Sequence, residues 1–401
     1  MTEPGSQPWR EVEAARLIAF ARGSAVPSGG FGWLDEVGRL DVTQPRPLYV
    51  NSRMTHVFAL AGLAGEPDTE ALCTAGVRSL VRDFGDPVNG GWVAAVDIDG
   101  QVLDPTKMNY AHAMTLLSTS SALVAGVPGA EEAYAATVST IEEHFWSEDE
   151  GAAVETWNAD FTELEPYRGA NSNMHSVEAY LAAADASGDS LWRERALRIA
   201  ARIIDTHARA NGWRIPEHYD AAWRPMLDFN NDRRDDPFRP FGATPGHAFE
   251  WSRLLLDLEA ALPDPPRWLA EAAAGLFDTA AIDARPRDGG LGLVYTTDMD
   301  GAPVVTARMH WVACEAVLAA DAMHRRTGQN RYAQAQTQWW QEIDRYFIDR
   351  ISGSWWHELD DDMRPASTTW AGKPDSYHAY QALLFPSLPL APTAATALTT
   401  T

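Results

Sequence analysis

The sequence predicts an all-α fold, an (α/α)6 toroid of six helical hairpins carrying short β-hairpin-like loops at one end. Three observations predict it. Segments with helical periodicity come in alternating amphipathic and nearly uncharged pairs, Gly/Trp-rich stretches separate them, and a histidine returns at or near the start of every second helix.

The amphipathic set covers residues 8–22, 68–84, 129–145, 190–210, 265–280 and 330–349. In the fourth, Leu191, Ala196, Ile199 and Ile203 form a stripe and arginines cover the rest, the pattern of an outer helix with one solvated face. The second set, 51–64, 108–125, 171–186, 245–262, 306–324 and 375–386, is rich in Ala and Leu and poor in charge, so it reads as inner helices buried on most sides. Between each outer helix and the next inner one lies a stretch such as NGGWVAAVDIDGQVLD or GGLGLVYTTDMDGAP. There Asp-Gly or Gly-Gly supplies the positive-φ turn of a hairpin. Six such units closing on themselves need no polar capping repeats. Residues 1–390 form one domain in this reading, and 391–401 a mobile low-complexity tail.

Composition narrows the function. The 401 residues carry a net charge of −24, a surface that repels nucleic acid and anionic lipid. Two distant cysteines, Cys73 and Cys314, form no disulfide framework or metal spacing. The N-terminus lacks a signal-peptide pattern, and no apolar run approaches a bilayer's thickness. The expectation is a cytoplasmic protein, monomer or homodimer, with no nucleic-acid or membrane partner.

Six of the eleven histidines occupy similar places in the inner segments: His56, His112, His175, His247, His310 and His378. Steps of 56, 63, 72, 63 and 68 residues separate them, one hairpin unit each, so a closed toroid could gather them as a ring at one mouth. Core packing inside an inherited repeat accounts for any single one. Their neighbours favour a site: Glu178 and Glu250 follow His175 and His247 by three residues on the same helical face, and Glu315 follows His310. Arg53, Tyr110, Trp311 and Tyr377 sit at similar helix starts. Polar, aromatic and titratable groups on otherwise buried helices make a concave site. Imidazoles there suit proton transfer at carbon, helix N-termini would stabilise an enediolate, and aromatic rings would stack on a sugar. Metal is disfavoured, because His-x3-His and HExxH spacings are absent and the histidines come from six helices. No Walker-type loop occurs.

The stretches NSRMTHVFALA, RGANSNMHSVEAYLAA, PFGATPGHAFEWSRLLL, MHWVACEAVLAA and GKPDSYHAYQALL resemble the N-acylglucosamine 2-epimerase superfamily, and within it the aldose–ketose isomerase branch acting on mannose or sulfoquinovose. The resemblance spans nearly the whole chain and implies the same (α/α)6 fold, a monosaccharide substrate and no cofactor. It further implies that His247 and His378 are the catalytic acid–base pair. Arg53, Tyr110, His175, Arg239, Glu250, Trp311 and Glu315 would bind substrate or orient the histidines. Tyr49 stands where related isomerases often carry Trp.

The expected activity is conversion of D-mannose to D-fructose, with lyxose to xylulose beside it, through a cis-enediol. Three alternatives stay open: a mannose/glucose 2-epimerase or a sulfoquinovose isomerase in the same pocket, a glycoside hydrolase using two of the carboxylates, and a non-catalytic binding protein.

Overall fold

The structure is a computed structural model describing residues 2–287 and 289–400. Outer helices α1 (Gln7–Ala21), α3 (Glu70–Ser79), α5 (Ala130–Thr140), α7 (Leu191–Ala200), α9 (Trp268–Asp283) and α11 (Asn330–Glu342) alternate with inner helices α2 (Leu48–Leu63), α4 (Asn109–Val124), α6 (Ala170–Ser187), α8 (Pro245–Ala261), α10 (His310–Thr327) and α12 (Tyr377–Leu384). Each inner helix packs on its neighbours in chain order, and α12 returns to α2. The first helix, α1, serves as the outer partner of the last inner helix, α12. The ring thus closes through its own termini, as the repeat count predicts.

Burial separates the two sets. In α2 every residue from Leu48 to Ala61 is buried, whereas in α7 only Trp192, Arg195, Ala196, Ile199 and Ala200 are. Runs of alanine such as Ala182–Ala184 and Ala319–Ala320 lie in the central core and let inner helices approach closely. Local signals set the helix ends. Pro245 opens α8, where its missing N–H is unneeded. Gly188 and Gly328 close α6 and α10 in left-handed conformation. Four outer helices end in a wider π-helical turn, Leu80–Phe84, Ile141–Phe145, Ala201–Ala208 and Ile343–Phe347, a departure from α geometry that periodicity does not reveal.

The hairpin-like loops line one end of the ring. The short strand preceding an inner helix pairs antiparallel with the loop of the next unit: Arg46–Pro47 with Ala95–Val96, Lys107–Met108 with Thr156–Trp157, Tyr167–Gly169 with His218–Asp220, and Arg308–Met309 with Glu358–Leu359. A single bridge between Ala243 and Thr297 does the same ahead of α8. These pairings fix where each inner helix begins. Gly100 and Gly301 adopt positive φ in the Asp-Gly turns, as expected. Two other turns place Trp223 and Met363 there instead, which sequence alone does not signal. Buried cations tie the rim to nearby carboxylates: Arg46 to Asp83, Lys107 to Asp86 and Lys373 to Asp349.

The opposite end is covered by the C-terminal residues. The sequence sets 391–401 apart as a mobile tail, but Ala394–Thr400 forms helix α13 against α2, α4 and α6, with Ala395 and Ala397 buried. A short apolar Ala/Thr stretch cannot hold a helix alone; the inner helices supply the surface it needs. Among the described residues no helix is long and apolar enough to cross a membrane.

Candidate active site

The N-termini of the inner helices and the rim loops enclose a cleft of about 680 Å³, counting its open mouth. Its walls include Tyr49 and Arg53 from α2, Tyr110 from α4, His175 from α6, His247 and Glu250 from α8, His310 and Trp311 from α10, and His378 from α12. One sequence region on every inner helix therefore contributes, though not the same residue type.

Two imidazoles are held by dedicated carboxylates. His247 Nδ1 lies 3.0 Å from both oxygens of Glu217, and His378 Nδ1 lies 2.8 Å from Glu315 Oε1. A carboxylate only accepts, so these contacts put the Nδ1 proton between ring and carboxylate and leave Nε2 as the basic nitrogen. Trp311 stands between the two rings, its centroid 5.2 Å from His247 and 5.7 Å from His378. Burial, then the charge of Arg53, holds His378 well below the usual histidine range, so it is neutral near pH 7. Burial lifts Glu315 to about 7.

Arg53 is the cation of the cleft. It donates to Asp375 Oδ2 at 3.0 Å and to the Tyr110 hydroxyl at 2.6 Å, lies over the Tyr377 ring at 4.7 Å, and its Nη2 stands 3.5 Å from His378 Nε2. Burial works against its charge, but Tyr110, Asp375 and Tyr377 more than offset that and raise its pKa. It is a fixed positive charge beside a basic nitrogen.

On the floor, His175 Nδ1 lies 3.5 Å from Glu178 and 3.7 Å from Glu250. Burial lowers His175 to about 4, so it stays neutral. Burial and the neighbouring Glu315 and Glu178 push Glu250 well above the carboxylate range, which makes it a neutral acid able to donate to a hydroxyl. Burial also acts to raise Glu178, but contacts with His175, Arg253 and Tyr377 outweigh it and hold Glu178 low. His175, Glu178 and Glu250 lie close enough to surround a cation, as do Glu250, Glu315 and His378. Arg253, 3.9 Å from both Glu178 and Glu250 and 3.5 Å from Glu315, already brings positive charge to both groups.

The expected ring of six histidines is corrected to four, His175, His247, His310 and His378, joined by His357. His56 lies deeper in α2 and meets Ser121 and Gln381 at the closed end. His112 donates to the Met108 carbonyl, accepts from the Trp92 N–H and packs on Phe145, a core histidine. His310 stacks on His357 at 4.0 Å. Arg239 does not line the cleft; it makes a two-pronged ion pair with Glu165 at 2.6 and 2.8 Å and covers the Tyr167 ring. Its neighbours Phe238 and Pro240 line the cleft instead. Glu315 lies behind His378 rather than on the surface of the site. Tyr49 packs edge-on to Tyr110 and Phe238, so an aromatic wall survives without Trp.

Sequence reasoning missed Glu217, Asp375, Arg253 and His357. The one signal for Glu217 is a pair of titratable residues, Glu217 and His218, between apolar Ile215 and Tyr219 where the loop enters the short strand His218–Asp220.

The chain is 48% identical over 393 residues to a D-mannose isomerase of Thermobifida fusca, covering 98% of this chain and 97% of that protein. It is 44% identical over 402 residues to a D-mannose isomerase of Pseudomonas cannabina pv. alisalensis, covering 99% and 96%. A crystal structure of a D-mannose isomerase superposes with a TM-score of 0.88 at 29% identity, over 95% of this chain and 98% of the other. Residues 29–382 match the N-acylglucosamine 2-epimerase (GlcNAc 2-epimerase) family, and the chain belongs to that family.

Proposed function

We propose that this protein is an aldose–ketose isomerase that converts D-mannose to D-fructose, and that His247 and His378 carry the proton transfers. The observation that carries the reading is the pair of imidazoles, each pinned at Nδ1 by a buried carboxylate and placed on either side of Trp311. Named D-mannose isomerases at 44–48% identity over nearly the full chain support the substrate.

Only the open-chain aldehyde has an acidic C2–H, so the pyranose must open first. His247 takes the proton of the anomeric hydroxyl and returns one to the ring oxygen. His378 Nε2 then removes the C2 proton. Arg53, close to that nitrogen, stabilises the oxyanion of the cis-enediolate, a charge that develops only as the reaction proceeds. Transfer of the O2 hydroxyl proton to O1 and return of the proton from His378 to C1 then give the ketose. Trp311 covers the apolar face of the sugar, and Glu250, as a neutral acid, donates to a hydroxyl.

Charge balance supports an uncharged sugar. Among the described residues that line the cleft Arg53 is the cation, and it is already paired with Asp375; Arg239 is taken by Glu165. A sulfonate or phosphate would find no free cation. Buried, unpaired Cys73 and Cys314 support a reducing, cytoplasmic location.

NMR of the purified protein with mannose in heavy water tests the reading. Deuterated fructose is the expected product. Glucose would mean 2-epimerisation, and undeuterated, unchanged mannose would overturn the assignment.

A further inference from the structure

Arg253 lies below the cleft floor on α8, outside the residues that touch the site, and faces a second cavity at the closed end of the ring. Its side chain is buried, and one guanidinium serves four carboxylates: Asp257 at 3.1 Å, Glu315 at 3.5 Å, and Glu178 and Glu250 at 3.9 Å. We propose that Arg253 is a positioning residue for the isomerisation: its charge keeps Glu315 the acceptor of the His378 Nδ1 proton, so that Nε2 meets the sugar as a base. The proposal rests on the isomerase reading above.

The geometry is a relay of three groups. Arg253 Nε reaches Glu315 Oε2, Glu315 Oε1 reaches His378 Nδ1 at 2.8 Å, and His378 Nε2 looks toward Arg53 and the cleft. A carboxylate can only accept, whereas a carboxylic acid can donate. If Glu315 took up a proton, the roles across the 2.8 Å contact would reverse. The single ring proton would then sit on Nε2, and His378 would face C2 as a donor.

The groups around Glu315 press toward that reversal. Glu178 on α6 brings negative charge, and Glu250 and Asp257 on α8 bring no positive charge to offset it. His175 on α6 and His378 on α12 are both kept neutral by burial. Arg53 on α2 acts on Glu315 only across His378. Among the described residues, Arg253 is the one Lys or Arg within 4.0 Å of the Glu315 carboxylate. Burial lifts Glu315 to about 7, with Arg253 the largest influence opposing it. Removing an adjacent opposite charge shifts a carboxylate by about 1–3 units, enough to leave Glu315 protonated at neutral pH.

Two readouts test this. NMR of isotope-labelled histidine, without substrate, reports which ring nitrogen of His378 carries the proton. Arg253→Gln should move it from Nδ1 to Nε2, while His247, held by Glu217, stays unchanged. In kinetics, the acid limb of kcat should rise by about 1–3 pH units and kcat at neutral pH should fall about tenfold or more, with KM changing less. Arg253→Lys, which keeps the charge, should recover the limb in part. If Arg253→Gln does not fold, Asp257→Asn carries the test: freeing the guanidinium from a competing carboxylate should move the limb down. A folded Arg253→Gln with an unmoved His378 proton and limb would overturn the proposal. So would activity lost equally in the Gln and Lys variants with the His378 proton in place, or an upward or absent shift in Asp257→Asn. Should the protein not act on mannose, the NMR readout still decides the role of Arg253.

Discussion

Glu217 holds His247 through both carboxylate oxygens, each 3.0 Å from Nδ1, although the two residues lie on different elements, a rim loop and the start of α8. Glu217 also accepts from the Thr244 N–H at 3.3 Å, so the carboxylate is fixed from the backbone side before it fixes the imidazole. The ring is oriented, its tautomer is set, and the imidazolium formed during turnover is stabilised by a neighbouring charge. Glu315 does the same for His378 from α10.

Replacing Glu217 by Gln should therefore damage catalysis without opening the fold. The amide can present its NH2 to Nδ1, which drives the ring proton to Nε2 and removes the base. We expect kcat to fall by about 10²–10⁴-fold, the range for losing a positioned acid–base group, with a smaller change in KM. Circular dichroism should match the unsubstituted protein. A folded Glu217→Gln enzyme turning over at the original rate would show that His247 needs no such partner.

His247 and His378 should separate by step. In His378→Asn, exchange of the mannose C2 proton with solvent should disappear. Acceleration of mannose mutarotation, which requires only ring opening, should persist through His247. His247→Asn should reverse the pattern, losing the mutarotation effect. Loss of both activities in each single variant would mean that neither histidine has its own step.

The helices were legible because burial writes a local periodicity, and ring closure followed from counting six pairs. The site was legible only in part. Equal spacing of histidines along the chain does not fix their direction, since each residue turns the side chain by about 100° around the helix axis. His56 and His112 share the interval of one hairpin but face away from the cleft, while Tyr110 and Arg53 occupy the corresponding wall. Glu217 and Asp375 stand on loops, where no periodicity ties a carboxylate to its imidazole or guanidinium. The family resemblance implies Arg239 as a cleft residue, yet Glu165, 74 residues away in sequence, takes its charge. Helix α13 was hidden because its stability comes from the inner helices it covers.

The rim should depend on its buried cations. Lys107 is fully buried, and its ammonium meets Asp86 at 2.9 Å. Asp86→Asn leaves that charge without an ionised partner, and breaking such a pair costs about 3 kcal/mol. The double variant Asp86→Asn, Lys107→Met removes the stranded charge and should recover much of the loss. Denaturant unfolding measures both; equal stability of Asp86→Asn and the parent would mean that water solvates Lys107 well enough to replace the carboxylate.

Gly246 precedes His247 on α8 and gives a test of the indole between the two histidines. A Cβ at this position would lie 2.4 Å from Trp311 Cζ3, 2.6 Å from Cη2 and 2.8 Å from Val312 Cγ2, closer than carbon atoms tolerate. Val312 is fully buried in the core and cannot yield, whereas Trp311 faces the cleft and can swing. Gly246→Ala should therefore push the indole from its place between His247 and His378 into the cleft, where the sugar ring would lie. The expected outcome is a fall of about tenfold or more in kcat/KM, the effect of misplacing reacting groups by a fraction of an ångström to an ångström, with KM for mannose raised. Stability should fall by about 1–3 kcal/mol from crowding against Val312, of which the better helix propensity of alanine offsets part. Trp311→Phe in the same background relieves the clash with a smaller ring and should restore part of the lost activity. If Gly246→Ala instead unfolds the protein while leaving the kinetics of its folded fraction intact, the indole is held by the core rather than by the gap that Gly246 leaves for it.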